Sequence, residues 1–133
     1  MNVVGMNGGL RSEGNDRSGK LSFYNMRAEW WWGLREALDP LLGVDLALPP
    51  GREVLADLAA PRFEIRPGGK LLIESKQDIR RRLGRSPDIG DAITYAYALG
   101  GIQSGRKALN KIRRGNKHRQ VNAGGGRLAQ RRR

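Results

Sequence analysis

A small α/β domain followed by a basic tail is what the chain predicts, and three observations point to it. Two alternating apolar runs, RFEIR and KLLIES, flank Pro67-Gly68-Gly69, the pattern of a β-hairpin. Segments of helical spacing, each with its own start and stop residues, lie on both sides of that hairpin, so a short mixed sheet packed by helices is expected. The charge is also divided. Residues 1–105 hold 14 Lys and Arg against all 13 Asp and Glu, a balance of +1, whereas residues 106–133 hold 11 Lys and Arg and no acid, which brings the total to +12. Residues 1–105 are therefore read as the folded part and 106–133 as a disordered basic tail.

In chain order, Val3 and Val4 form a short β-like run. A Gly-, Asn- and Ser-rich stretch follows, and residues 1–20 read as a flexible segment. Gly19-Lys20 is followed by Leu21 rather than Ser or Thr, so the stretch does not fit a phosphate loop. Residues 21–24 suit a strand end, and Asn25 suits the N-cap of a helix over MRAEWWWGLREAL. Met26, Trp30, Leu34 and Ala37 or Leu38 recur on one side of it, the side expected to face a core. Three successive tryptophans span about 200° of helix circumference. At least one is therefore expected at a rim, with Trp30 as core filler and Trp31 or Trp32 as a weaker candidate for stacking on an unpaired base. Glu29 reads as the partner of Arg27 or Arg35 in an ordinary surface pair.

Asp39-Pro40 ends that helix. A connector with a short strand over residues 44–47 leads to a helical segment over 52–59, closed by Pro61. In the hairpin, Phe63 and Ile65 share one face with Leu71 and Ile73, and Glu74 reads as a solvated strand-end charge.

The most informative stretch is SKQDIRRRLGRSPDIGDAITYAYAL. Ser75 can cap a first helix, with Asp78 in the place of the acid of a capping box, and Gly84 stops it. Ser86 and Pro87 then open a second helix expected to run to about Leu99. Asp88 and Asp91 fall at i and i+3 of its first turn and point the same way. The residues after Asp91 are small or apolar on nearly every face, which places its carboxylate at the edge of a core, where burial is costly unless something positive meets it. Arg80, Arg81, Arg82 and Arg85, or a divalent metal ion, could fill that role. Beyond Gly100-Gly101, residues 103–112 read as one more short basic helix.

The chain has no cysteine, hence no disulfide framework and no thiolate metal site. Its apolar runs are far shorter than a bilayer requires, so no membrane partner is expected. The single histidine, His118, lies in the basic tail and reads as an idle exposed side chain.

The stretch FYNMRAEWWWGLREAL, followed by LADLAAPRFEIRPGGKLLIESKQDIRRRLGRSPDIGDAITYAYA, resembles the C-terminal part of the large terminase subunit of tailed bacteriophages. The likeness covers residues 22–99 and rests on the order of its blocks: N-x-R-A-E before a Trp-rich helix, the P-R hairpin, E-S-K-x-D-I, then G-R-S-P-D-x-x-D-A. It implies part of a ribonuclease H-like nuclease domain that cuts concatemeric viral double-stranded DNA during packaging. It also implies carboxylates that hold Mg²⁺ or Mn²⁺, with Asp91 carried over as metal-binding and catalytic acid and Asp88 as its near neighbour. The family takes its other acids from two strands upstream of the N-x-R-A-E helix. Here some 24 residues precede that helix, with Glu13 and Asp16 in a Gly-rich loop, and no ATPase half is present. The chain is thus expected to be a distal fragment or separately encoded piece, inactive alone, that works with the remaining large-subunit sequence, the portal or the small terminase subunit. The resemblance further implies a phage or prophage origin and the bacterial host cytoplasm as location. The side chains expected to meet phosphate are Arg80, Arg81, Arg82, Arg85, Arg106, Lys107, Lys111, Arg113 and Arg114. The competing reading is a small basic protein with no enzymatic activity that binds DNA through its tail or docks on a portal.

Overall fold

The computed structural model describes residues 5–42 and 46–101. The β-like run at Val3 and Val4, the start of the 44–47 strand, the 103–112 helix and the 106–133 tail lie outside the described residues. By contacts the chain divides into Met1–Leu99 and Gly100–Arg133. The account below concerns the first unit.

Among the described residues a three-stranded mixed sheet and four helices make up the domain, which is α/β as expected. The elements are β1 (Ser22–Phe23), α1 (Met26–Ala37), α2 (Arg52–Ala59), β2 (Phe63–Arg66), β3 (Lys70–Ile73), α3 (Lys76–Leu83) and α4 (88–101), with a 3₁₀ turn at Pro40–Leu42. Strand order is β1-β3-β2. The hairpin forms because Pro67 and Gly68 supply the residue choice of a type II turn, Gly68 at φ 84° and Gly69 at φ 72° taking conformations that a side chain would oppose. β2 and β3 pair antiparallel with Phe63 opposite Ile73 and Ile65 opposite Leu71, and β1 joins β3 in parallel. Among the described helices, none is long and apolar enough to cross a membrane.

Helix α1 lies across one face of the sheet, where Ala28, Trp31 and Trp32 pack on Phe23, Leu71 and Ile73. Leu71 on the central strand is fully buried, worth about 1.5–3 kcal/mol. All three tryptophans are buried, which corrects the expectation that one would sit at a rim. Helix α1 has two packing fronts: Trp31 and Trp32 face the sheet, and Trp30 meets Tyr95 of α4 edge to face at 5.5 Å. With both faces covered, neither Trp31 nor Trp32 offers a ring to a base.

The Gly-rich segment before β1, read as flexible, is tied along α1. The Met26 and Arg27 N–H groups donate to Leu10 O and Gly8 O at 2.8 and 2.9 Å, and Asn25 Oδ1 accepts from Ala28 N at 3.0 Å, so the first-turn donors of α1 are met. Glu29 accepts from the Ser12 hydroxyl instead of pairing with Arg27 or Arg35, and Glu36 accepts from Arg17 N at 3.1 Å.

Helix α3 starts as read: Ser75 Oγ accepts from Asp78 N at 3.1 Å, and Gly84 ends the helix with its N–H on Arg80 O. Glu74 is not solvated. Arg82 grips it through Nε at 3.1 Å and Nη2 at 2.7 Å and also donates to Ala60 O, which locks the hairpin to α3 and to the end of α2. The Arg82 hydrogen bonds hold the Glu74 carboxyl below its usual 4.5. Because the folded-state value is depressed, this contribution is fully present above about pH 4.5 and is lost as pH falls through the lower folded value. Urea melts of Glu74→Gln and the parent should therefore converge as pH falls through that depressed value, the parent alone losing its margin on acidification; an unchanged gap would remove the clamp from the acid response.

Candidate functional site

Side chains from the first turns of three helices meet at Asp91. It lies in the first turn of α4 and is 4% exposed, which agrees with the core-edge position read from the residues around it. Its Oδ1 accepts from Arg27 Nη1, in the first turn of α1, at 2.6 Å and from Trp31 Nε1 at 3.3 Å. Its Oδ2 is buried without a hydrogen-bond partner and faces Lys76 Nζ, at the start of α3, at 3.4 Å. The same ammonium lies 2.7 Å from Asp88 Oδ1. Lys76 therefore bridges the two carboxylates predicted to share a face. The hydrogen bond from Lys76, with a second from Ser86, pulls the Asp88 carboxyl below its ordinary value. Asp88 in turn raises Lys76, against the opposing effect of burial, with Asp91 adding to the rise, so the ammonium stays charged.

The cations that meet Asp91 are Arg27 and Lys76, which corrects the expectation of Arg80, Arg81, Arg82 or Arg85. Helix α3 explains the difference. It presents its first residue to α4, and at 1.5 Å per residue its arginine run lies one to two turns further along. Arg81 pairs with Asp78 at 2.8 Å, Arg82 with Glu74, and Arg85 with Asp57; Arg80 and Arg81 stand on the exposed surface. Arg106, Lys107, Lys111, Arg113 and Arg114 lie outside the described residues.

Asp57 is a further buried acid, 1% exposed, on α2. Its Oδ2 accepts from Ile89 N at 3.0 Å and Gly90 N at 3.3 Å, and its Oδ1 pairs with Arg85. Asp57 thus caps α4 from another helix, the role Ser86 was expected to fill. The crossing is close. A Cβ on Gly90 would stand 3.0 Å from the Trp31 ring and 3.1 Å from the Asp57 backbone, so α4 approaches α1 and α2 only with glycine there. Residue reasoning passed over Arg27, Lys76 and Asp57. Arg27 and Lys76 stand inside N-x-R-A-E and E-S-K-x-D-I, where their charges were available as a signal, and Asp57 falls three residues after Val54 on the buried side of α2.

Beside this cluster a groove of about 550 Å³ opens along the sheet face opposite α1, with Arg27, Asn25, Ser75 and Asp78 at one end and Arg66 and Glu64 at the other. Asp91 Oδ2 and Asp88 Oδ1 are hard oxygen donors already gathered round one cation, which suits a single Mg²⁺ or Mn²⁺ in place of the Lys76 ammonium. Among the described residues no third acidic or histidine side chain joins them. No protein-family model matches the chain, and none of the curated proteins compared with it does so either.

Proposed function

We propose that this chain is the distal part of a phage terminase nuclease domain of ribonuclease H-like type, supplying Asp91 and Asp88 to metal-dependent cleavage of concatemeric double-stranded viral DNA. The observation that carries the reading is the buried Asp91 carboxylate, whose Oδ1 is fixed by Arg27 while its Oδ2 has no hydrogen-bond partner and faces the Lys76 ammonium shared with Asp88. Arg27 holds the carboxylate in one orientation. Lys76 keeps the two acids from repelling each other when no other cation is bound. The groove next to Arg27 also carries Arg62 and Arg66, cations suited to a backbone phosphate. A divalent ion bound there would activate water and neutralise charge at the phosphodiester. Two acids are too few for a two-ion site, so the remaining large-subunit sequence is part of the proposal as the source of the other acids.

Plasmid nicking tests it. The chain together with the remaining large-subunit sequence should nick supercoiled DNA with Mg²⁺ or Mn²⁺, and residues 1–133 alone should not. Asp88→Asn, on a largely exposed side chain, should slow nicking at least tenfold with an unchanged circular dichroism spectrum. Cleavage by Asp88→Asn/Asp91→Asn at the parental rate would remove both acids from the reaction.

The tail favours a second reading, a non-enzymatic DNA-binding protein, because residues 106–133 carry 11 cations and no acid. In that case DNA affinity should fall steeply with salt, need no metal and disappear when residues 106–133 are removed.

A further inference from the structure

Among the described residues the outer edge of β2 is open: every residue of the strand is exposed, including Phe63 at 52% and Ile65 at 55%. The hydrogen bonds of the hairpin show what that edge presents. Arg62 O accepts from Glu74 N at 2.8 Å and Arg66 O from Gly69 N at 3.1 Å, so residues 62, 64 and 66 aim their main-chain groups at β3. Phe63 and Ile65 therefore aim theirs outward. The next outward positions on each side are Pro61 and Pro67, which have no N–H, so the edge offers a short row of pairing groups with a proline at each end.

The charges along this edge are self-complementary. Glu64 and Arg66, two apart on one face, pair with each other at 2.8 Å in the single chain. In a two-fold antiparallel pairing centred on Ile65, Glu64 lies opposite the partner's Arg66 and Arg66 opposite the partner's Glu64, while the two Ile65 side chains meet on the other face. The main-chain groups of Ile65 then pair reciprocally, and Phe63 N–H reaches the carbonyl of the partner's Pro67, so neither proline leaves a donor unmet. A shift that sets Glu64 opposite itself brings like charges together. Centring on Phe63 restores opposite charges through Arg62 but lays Ala59, the end of α2, beside the partner's Pro67, where helix and turn collide.

We infer that two copies of this chain associate edge to edge through β2, centred on Ile65, joining their three-stranded sheets into one. The inference is independent of the nuclease reading. Sedimentation equilibrium on the full chain, freed of nucleic acid, should show a concentration-dependent monomer–dimer equilibrium. Glu64→Arg and Arg66→Glu should each weaken it roughly tenfold or more. An equimolar mixture of the two variants should regain dimer mass, because each then meets its complement, and Glu64→Arg/Arg66→Glu on one chain should do the same. A parent that stays monomeric at every concentration overturns the proposal, as does a mixture no more associated than its components. Arg62→Glu weakening the dimer while Arg66→Glu does not would overturn the Ile65 register.

Discussion

Asp91→Asn is expected to cost about 3–5 kcal/mol of stability, because it removes the charge that a buried guanidinium faces. Arg27 is only 12% exposed, and its Nε and Nη2 are buried without acceptors, so the Asp91 contact is its main compensation. Lys76 is half exposed and can turn to water when the acid is neutralised, so most of the loss comes from Arg27. Urea denaturation measures it. Arg27→Met together with Asp91→Leu should recover much of the deficit, since a buried pair replaced by apolar groups is often neutral. A loss under about 1 kcal/mol for Asp91→Asn would class the contact with surface pairs. This expectation also governs the nicking experiment: an inactive Asp91→Asn says nothing of chemistry unless the fold is shown to persist, and Asp88→Asn therefore carries the functional test.

Asp57→Ala should cost about 2–4 kcal/mol. One carboxylate accepts from two backbone N–H groups at the start of α4, and removing it leaves buried donors without partners while Arg85 loses its counter-charge. Arg85 is half exposed, so its share is small. Asp57→Asn keeps an acceptor and should lose roughly half as much. Hydrogen exchange locates the effect: in Asp57→Ala the amides of Ile89 and Gly90 should lose protection before those of β3. Equal acceleration throughout the domain would mean that Asp57 acts on global stability and not as the cap of α4.

What could be read from the residues is what forms locally. The hairpin, its facing pairs, the Asn25 and Ser75 caps and the Gly84 stop each depend on neighbours a few positions apart. The position of Asp91 at a core edge was also legible, from the small and apolar residues after it. Its partners were not, since Arg27 lies 64 positions away and Trp31 60, and nothing in a helical wheel says which distant N-terminus a carboxylate will meet. The tryptophans were misjudged for a related reason. Helical spacing describes one packed side, and α1 has two. The parallel pairing of β1 to β3 is two residues long, too little to leave a pattern in the sequence.

Helix α1 acts as a party wall. The sheet leans on it through Trp31 and Trp32, and α4 through Trp30 and the Arg27 bridge to Asp91, so neither side owns a complete interior. Stripping away either neighbour would leave indole surface wet and a guanidinium or a hairpin unsupported. The domain is consequently indivisible: no cut between the hairpin and α4 yields a piece that could stand by itself.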